Sequence, residues 1–147
     1  MRRCAVARVR PFNPDALTPH APSVALSPFR GKCWKHTLLV PLYEVPLKSK
    51  KPRTTIFSAQ DRDALEQAFV HHLGGYTKEN WENAPLFMGI GYRGAELERN
   101  IHAVYLVYTN IRSRAWKYML ALMRELQECT GEEQILLERT EAFIASV

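Results

Sequence analysis

A chain of 147 residues, 46% hydrophobic and 24% charged, has the size and composition of one globular domain. No run approaches the roughly 18 consecutive apolar residues of a membrane-spanning helix, and three widely spaced cysteines, Cys4, Cys33 and Cys129, form neither a secreted disulfide framework nor a zinc-ribbon pattern. The net charge of +5 is uneven: residues 1–53 hold 11 Lys and Arg against 2 acids and residues 54–147 hold 9 against 13, so any polyanion-binding argument rests on the N-terminal third.

Residues 1–33 carry Pro11, Pro14, Pro19, Pro22 and Pro28 and show neither helical nor strand periodicity. Proline removes a backbone donor and biases its predecessor toward extended backbone, so this stretch reads as a disordered or loosely attached basic arm, with the folded domain over 34–147. The apolar run Leu38–Val45 suits a buried strand, although Pro41 conflicts with a central position and calls for a bulge or a split there. Ser58 is placed to cap a helix whose stripe is Leu65, Phe69 and Leu73 with Ala64 and Ala68, and Gly74-Gly75 supplies its stop. After a polar loop bearing Trp81, Leu86 to Tyr92 alternates like a strand, 94–100 reads as a connection, and Ile101 to Thr109 is the clearest strand of the chain. Ser113 can cap a second helix with a stripe of Trp116, Met119, Leu120, Met123 and Leu126, ended by Gly131. Gln134 to Arg139 forms a last short strand before a mildly apolar tail.

The order β-α-β-β-α-β predicts an α+β, ferredoxin-like fold, a four-stranded antiparallel sheet with both helices on one face. The third strand is apolar on both faces: Ile101, Ala103, Tyr105 and Val107 on one, Val104, Leu106 and Tyr108 on the other. A sheet apolar on both faces needs a second cover, which predicts a homodimer joined face to face.

Gly89-Ile90-Gly91-Tyr92-Arg93-Gly94 matches a dinucleotide fingerprint in letters only. The glycines fall in a strand, no helix has room to follow, and the acidic residue expected about 20 positions later is missing. Tyr105-Leu106-Val107-Tyr108 fits the end of an RNA-recognition motif, but the preceding positions do not, and Tyr105 and Tyr108 sit on opposite strand faces, so nucleic acid is a disfavoured partner. The histidines His20, His36, His71, His72 and His102, with Cys33 three residues before His36, assemble no metal-ligand pattern, and no cofactor is expected. The most site-like residues are Glu98, His102 and Arg93 as candidate acid, base or enolate-stabilising groups, with Tyr76, Trp81 and Tyr92 as candidate binding aromatics.

Gly74-Gly75-Tyr76-Thr77, the glycine-bearing second strand, Glu98 before the third strand, and Glu133-Gln134-Ile135-Leu136-Leu137 together resemble a group of small uncharacterised bacterial ferredoxin-like proteins with a Gly-Gly-x-Thr turn and a late Gln-x-x-Val-Leu strand. The similarity spans about residues 35–139, and Tyr92 stands where that group often has Trp. The resemblance implies the fold and carries over no catalytic residue. The expected protein is a cytoplasmic, self-associating binding or interaction module with room for a small-molecule ligand and no membrane association. The alternatives are a small cofactor-free isomerase or oxygenase of the dimeric α+β-barrel type, and an RNA-binding domain.

Overall fold

A computed structural model describes residues 9–22, 31–45, 54–78, 87–93, 96–111 and 115–145. The architecture is α+β, with a curled antiparallel sheet and three helices. The strands are β1 (Gly31–Val45), β2 (Thr54–Thr55), β3 (Thr77–Lys78), β4 (Phe87–Arg93), β5 (Glu96–Asn110) and β6 (Leu136–Ile144). The α-helices are α1 (Ala59–Leu73) and α2 (Ala115–Thr130), and a 3-10 helix over Pro14–His20 precedes the sheet. The long strands lie in the order β4-β5-β1-β6, each antiparallel to its neighbours. The two-residue strands β2 and β3, beyond the four expected, pair with β1 at Tyr43 and Glu44 and with β5 at Tyr105 and Leu106.

β1 and β5 outrun their apolar segments and pair from Cys33 opposite Asn110 to Val45 opposite Arg99. Ladder hydrogen bonds belong to the backbone, so polar flanks such as Lys32, Lys35 and Asn100 join the strands as readily as Val or Ile. The expected connection over 94–100 is therefore mostly strand. The ladder shifts register between Pro41 and Tyr43, leaving Leu42 as the extra residue of a bulge. Pairing with β6 stops at Leu39 and pairing with β2 starts at Tyr43. Pro41 thus sits in a gap on that side of β1, where its missing N–H breaks no ladder bond to β6 or β2.

Alternation assigns the faces. Leu38, Val40, Ala103, Tyr105 and Val107 join Leu65 and Phe69 of α1 and Met119, Leu122 and Leu126 of α2 in one buried cluster. The stripe of α2 is rotated from the expected one: Tyr118 and Leu122 are fully buried, while Leu120 is 39% exposed. On the other face Pro41 and Val104 are buried, Leu39, Leu106 and Tyr108 are half-buried, and Leu136 is exposed. The expected apolar row is therefore present, but Val104 does not stand open to water.

The loosely attached arm expected over 1–33 does not describe residues 9–22. Asn13 caps the 3-10 helix by accepting from the Asp15 N–H, and Pro14 occupies its first turn, where the absent N–H costs nothing. Leu17 is fully buried and Phe12 is 5% exposed, with the Phe12 ring set edge-on to Phe57. The Phe12 N–H donates to Asp61 Oδ1 at 3.0 Å. Arg10 donates both terminal nitrogens to the Glu125 carboxylate at 2.6 and 2.5 Å, and the Asn13 N–H adds a bond of 2.8 Å. Two apolar anchors and two buried carboxylates, Asp61 and Glu125, dock the segment without any periodicity. The domain boundary placed at residue 34 also moves, because β1 already begins at Gly31.

Candidate functional site

A polar cluster lies between α1, β3 and β5. Ser58 caps α1 in a reciprocal box with Asp61, and Gly74 closes it in the left-handed conformation with φ of 80°. That turn feeds Tyr76 and β3 back across the sheet, beneath Glu66 of α1. Glu66 accepts hydrogen bonds from the Tyr76 hydroxyl at 2.7 Å, Lys78 Nζ at 2.8 Å and the Tyr105 hydroxyl at 3.1 Å. Phe69, Tyr76 and Tyr105 pack around it with ring centroids 5.7 to 5.9 Å apart. An open cleft of about 580 Å³ begins here, lined by Asp63, Glu66, Gln67, Val70, His71 and Tyr76.

The charges of this cluster are settled rather than poised. Burial pushes the Glu66 carboxyl up, but the bonds from Lys78, Tyr76 and Tyr105 and the Lys78 charge outweigh it and hold the group below its usual range. Burial and the Glu66 carboxylate push the Tyr76 phenol up to about 12, and the same causes raise Tyr105. Near neutral pH the cluster is an ionised carboxylate with its acceptor sites occupied by protonated phenols and an ammonium. That arrangement braces β3 against α1 and leaves no group ready to exchange a proton.

A second cluster closes the β1–β6 end. The Arg139 guanidinium lies between the rings of Trp34 and Trp116, 4.3 Å from each centroid. Trp116 stacks in turn on His36 at 5.9 Å, with 20° between the planes. His36 opposes Arg139 across the β1–β6 ladder and shares a 3.0 Å hydrogen bond with Thr109 through Nε2. Its Nδ1 has no hydrogen-bond partner among the described residues. Burial, and secondarily the nearby Arg139, lower the His36 pKa to about 4, so the ring is neutral at pH 7.

Of the residues singled out from sequence, the two whose side chains are described, Tyr76 and His102, do not meet. Tyr76 is on the helix-covered face. His102 lies on the other face, opposite Pro41 on β1 and Phe87 on β4. Arg93 opposes Glu96, Tyr92 opposes Leu97 and Glu98 opposes Gly91 in the β4–β5 ladder, and their side chains lie outside the described residues. Trp81 and Ser113 also lie outside them. A cavity between helices and sheet shared by Tyr76 and His102 is therefore not formed. Gly89 and Gly91 are ladder residues opposite Asn100 and Glu98, in a hairpin rather than a strand-to-helix turn. Tyr105 is buried against α1, so it offers no base-stacking surface beside Tyr108. Cys33 and His36 fall on opposite faces of β1, and among the described residues no three metal-ligating side chains converge.

Sequence reasoning missed Glu66 and the Trp34–Arg139–Trp116 stack. Glu66 is one of several polar residues of α1, and only the arrival of Tyr76, β3 and β5 gives it three donors. The stack joins residues 82 and 105 positions apart in the chain, from Trp34 to Trp116 and Arg139, so no local spacing reveals it. No family model matches the chain, and neither a curated protein nor a solved structure with significant similarity was found.

Proposed function

We propose that this protein is a self-associating ferredoxin-like interaction module. The order β4-β5-β1-β6, with α1 between β1 and β4 in the chain and α2 between β5 and β6, supports the ferredoxin-like reading, as does the resemblance to the small bacterial group with the Gly-Gly-x-Thr turn. One observation carries self-association: the sheet leaves apolar side chains in contact with water. Leu136 is 51% exposed on the face of half-buried Leu39, Leu106 and Tyr108, and Phe143 is 73% exposed on the opposite face, that of Leu38. Covering such side chains is worth roughly 25 cal/mol per Å² of apolar surface, which favours a second copy. The scattered positions of Tyr76 and His102 and the saturated Glu66 weigh against the cofactor-free enzyme. No helix among the described residues is long and apolar enough to cross a membrane. The buried free thiols of Cys33 and Cys129 suit a reducing compartment, and we place the protein in the cytoplasm on that basis. Sedimentation velocity at about 20 µM tests the reading. A dimer is expected, and a monomer overturns it.

A further inference from the structure

The sheet ends at β6, which pairs with β1 on one side and with no other strand among the described residues. An unpaired edge is a template for another strand, and edges are blunted by proline, bulges, very short strands or charged side chains. β6 is nine residues long, free of proline and in unbroken register with β1, and its charges, Glu138, Arg139 and Glu141, are of both signs, so they repel a copy in some registers and match it in another. Its sequence is Leu136-Leu137-Glu138-Arg139-Thr140-Glu141-Ala142-Phe143-Ile144.

We propose that two copies join through this edge, β6 to β6, with Thr140 on the two-fold axis. The proposal rests on the self-association reading and names its seam. Two antiparallel strands related by an axis normal to the sheet must place one residue opposite its own copy, because directly opposed side chains share a face. Centring on Thr140 sets Arg139 opposite the partner's Glu141, and the reverse. Leu137 then meets the partner's Phe143, and Leu136 meets the partner's Ile144. Shifting the centre to Arg139 opposes two guanidinium groups, and shifting it to Glu141 opposes two carboxylates, which directly facing strand positions disfavour. Charge therefore selects one register, and the same register covers Leu136 and Phe143, the exposed apolar side chains of the strand.

The Arg139 side chain is held on the face of the sheet where this register brings the partner's Glu141. Its guanidinium is held between Trp34 and Trp116, while its in-plane N–H groups have no hydrogen-bond or ion-pair partner among the described residues. Glu141, on the same face of β6, is likewise unpaired among them and exposed. Arg139 and Glu141 lie two positions apart on one strand, and an antiparallel copy matches them reciprocally. The joined sheet is continuous across both protomers and leaves the face of Leu106 and Tyr108 free for another partner.

Oxidative cross-linking in a Cys4→Ser background reads the register directly. Thr140→Cys places two thiols opposite one another and is expected to form a covalent dimer at least tenfold faster than Glu138→Cys, whose thiols stand about 14 Å apart in this register. Glu141→Arg is expected to weaken the dimer at least tenfold in sedimentation, and Leu106→Lys by less than twofold, with far-UV circular dichroism confirming that each variant is folded. Equal cross-linking of the two cysteine variants, or a dimer indifferent to Glu141→Arg and broken by Leu106→Lys, overturns the edge seam and leaves self-association standing. A monomeric unmodified protein overturns both.

Discussion

Glu125 is 3% exposed yet carries a charge, and its partners belong to the N-terminal segment: both terminal nitrogens of Arg10 and the Asn13 N–H. Arg10→Ala removes the countercharge and leaves the carboxylate with one donor. The expected cost is roughly 2 kcal/mol, below that of a fully buried pair because the Arg10 side chain is 37% exposed, and urea unfolding measures it. His36 sets a pH dependence. Its pKa is about 4 in the folded protein against 6.5 ordinarily, so below pH 6.5 the unfolded chain binds the proton and the folded one does not. Stability is full above that pH and falls as pH drops from 6.5 to about 4, by roughly 3 kcal/mol across the window at about 1.4 kcal/mol per pH unit. Glu66, held below its usual range, adds its own loss only below about pH 4.5. His36→Asn should flatten the decline between pH 6.5 and 4.5 in urea unfolding, without abolishing it, because burial lowers the His72 pKa as well.

At the scale of elements, the two α-helices were legible in the sequence, and the 3-10 helix and the strand ends were not. The capping box of Ser58 and Asp61 and the Gly74 stop are local chemistry, written in residues three or four positions apart, and α1 begins and ends where they place it. β5 begins at Glu96 rather than Ile101, because its first residues are held by pairing with β4 and need no apolar side chain. The N-terminal segment failed for a related reason: Phe12 and Leu17 make no period, but each enters a space that α1 and α2 leave open. Leu17→Ala is expected to cost about 3 kcal/mol through the cavity it leaves. Removing residues 1–22 should lower the melting temperature by more than about 10 °C in a calorimetric scan. An unchanged transition would show that the contacts of Phe12, Leu17 and Arg10 contribute nothing.

For the whole molecule, the consequence of a charge on β5 depends on which face it enters. Val107 is fully buried beneath the helices and Leu106 is half-buried on the opposite face. Val107→Lys should abolish the folded state, since a buried unpaired ammonium costs several kcal/mol and the whole domain is stable by only about 5–15 kcal/mol. Leu106→Lys should leave a cooperative transition with a loss of about 1 kcal/mol. Circular dichroism melting of the pair distinguishes the faces: two folded variants would mean that the helices do not cover Val107.

By itself the sequence determined the two α-helices, the strand-like segments and the tension at Pro41, because caps, apolar periods and missing donors act within a few residues. It also showed that both faces of β5 are apolar. Only the tertiary structure decided which face the helices cover, since alternation is symmetric and the choice rests on packing from distant segments. The same holds for the site. Tyr76 and His102 are both suggestive in the chain, but strand parity sends them to opposite faces. Glu66 with its three donors, and Arg139 between Trp34 and Trp116, exist because β3, β1 and α2 arrive from elsewhere in the chain. Long-range pairing register places such groups, and register is a property of the folded sheet rather than of any local run of residues.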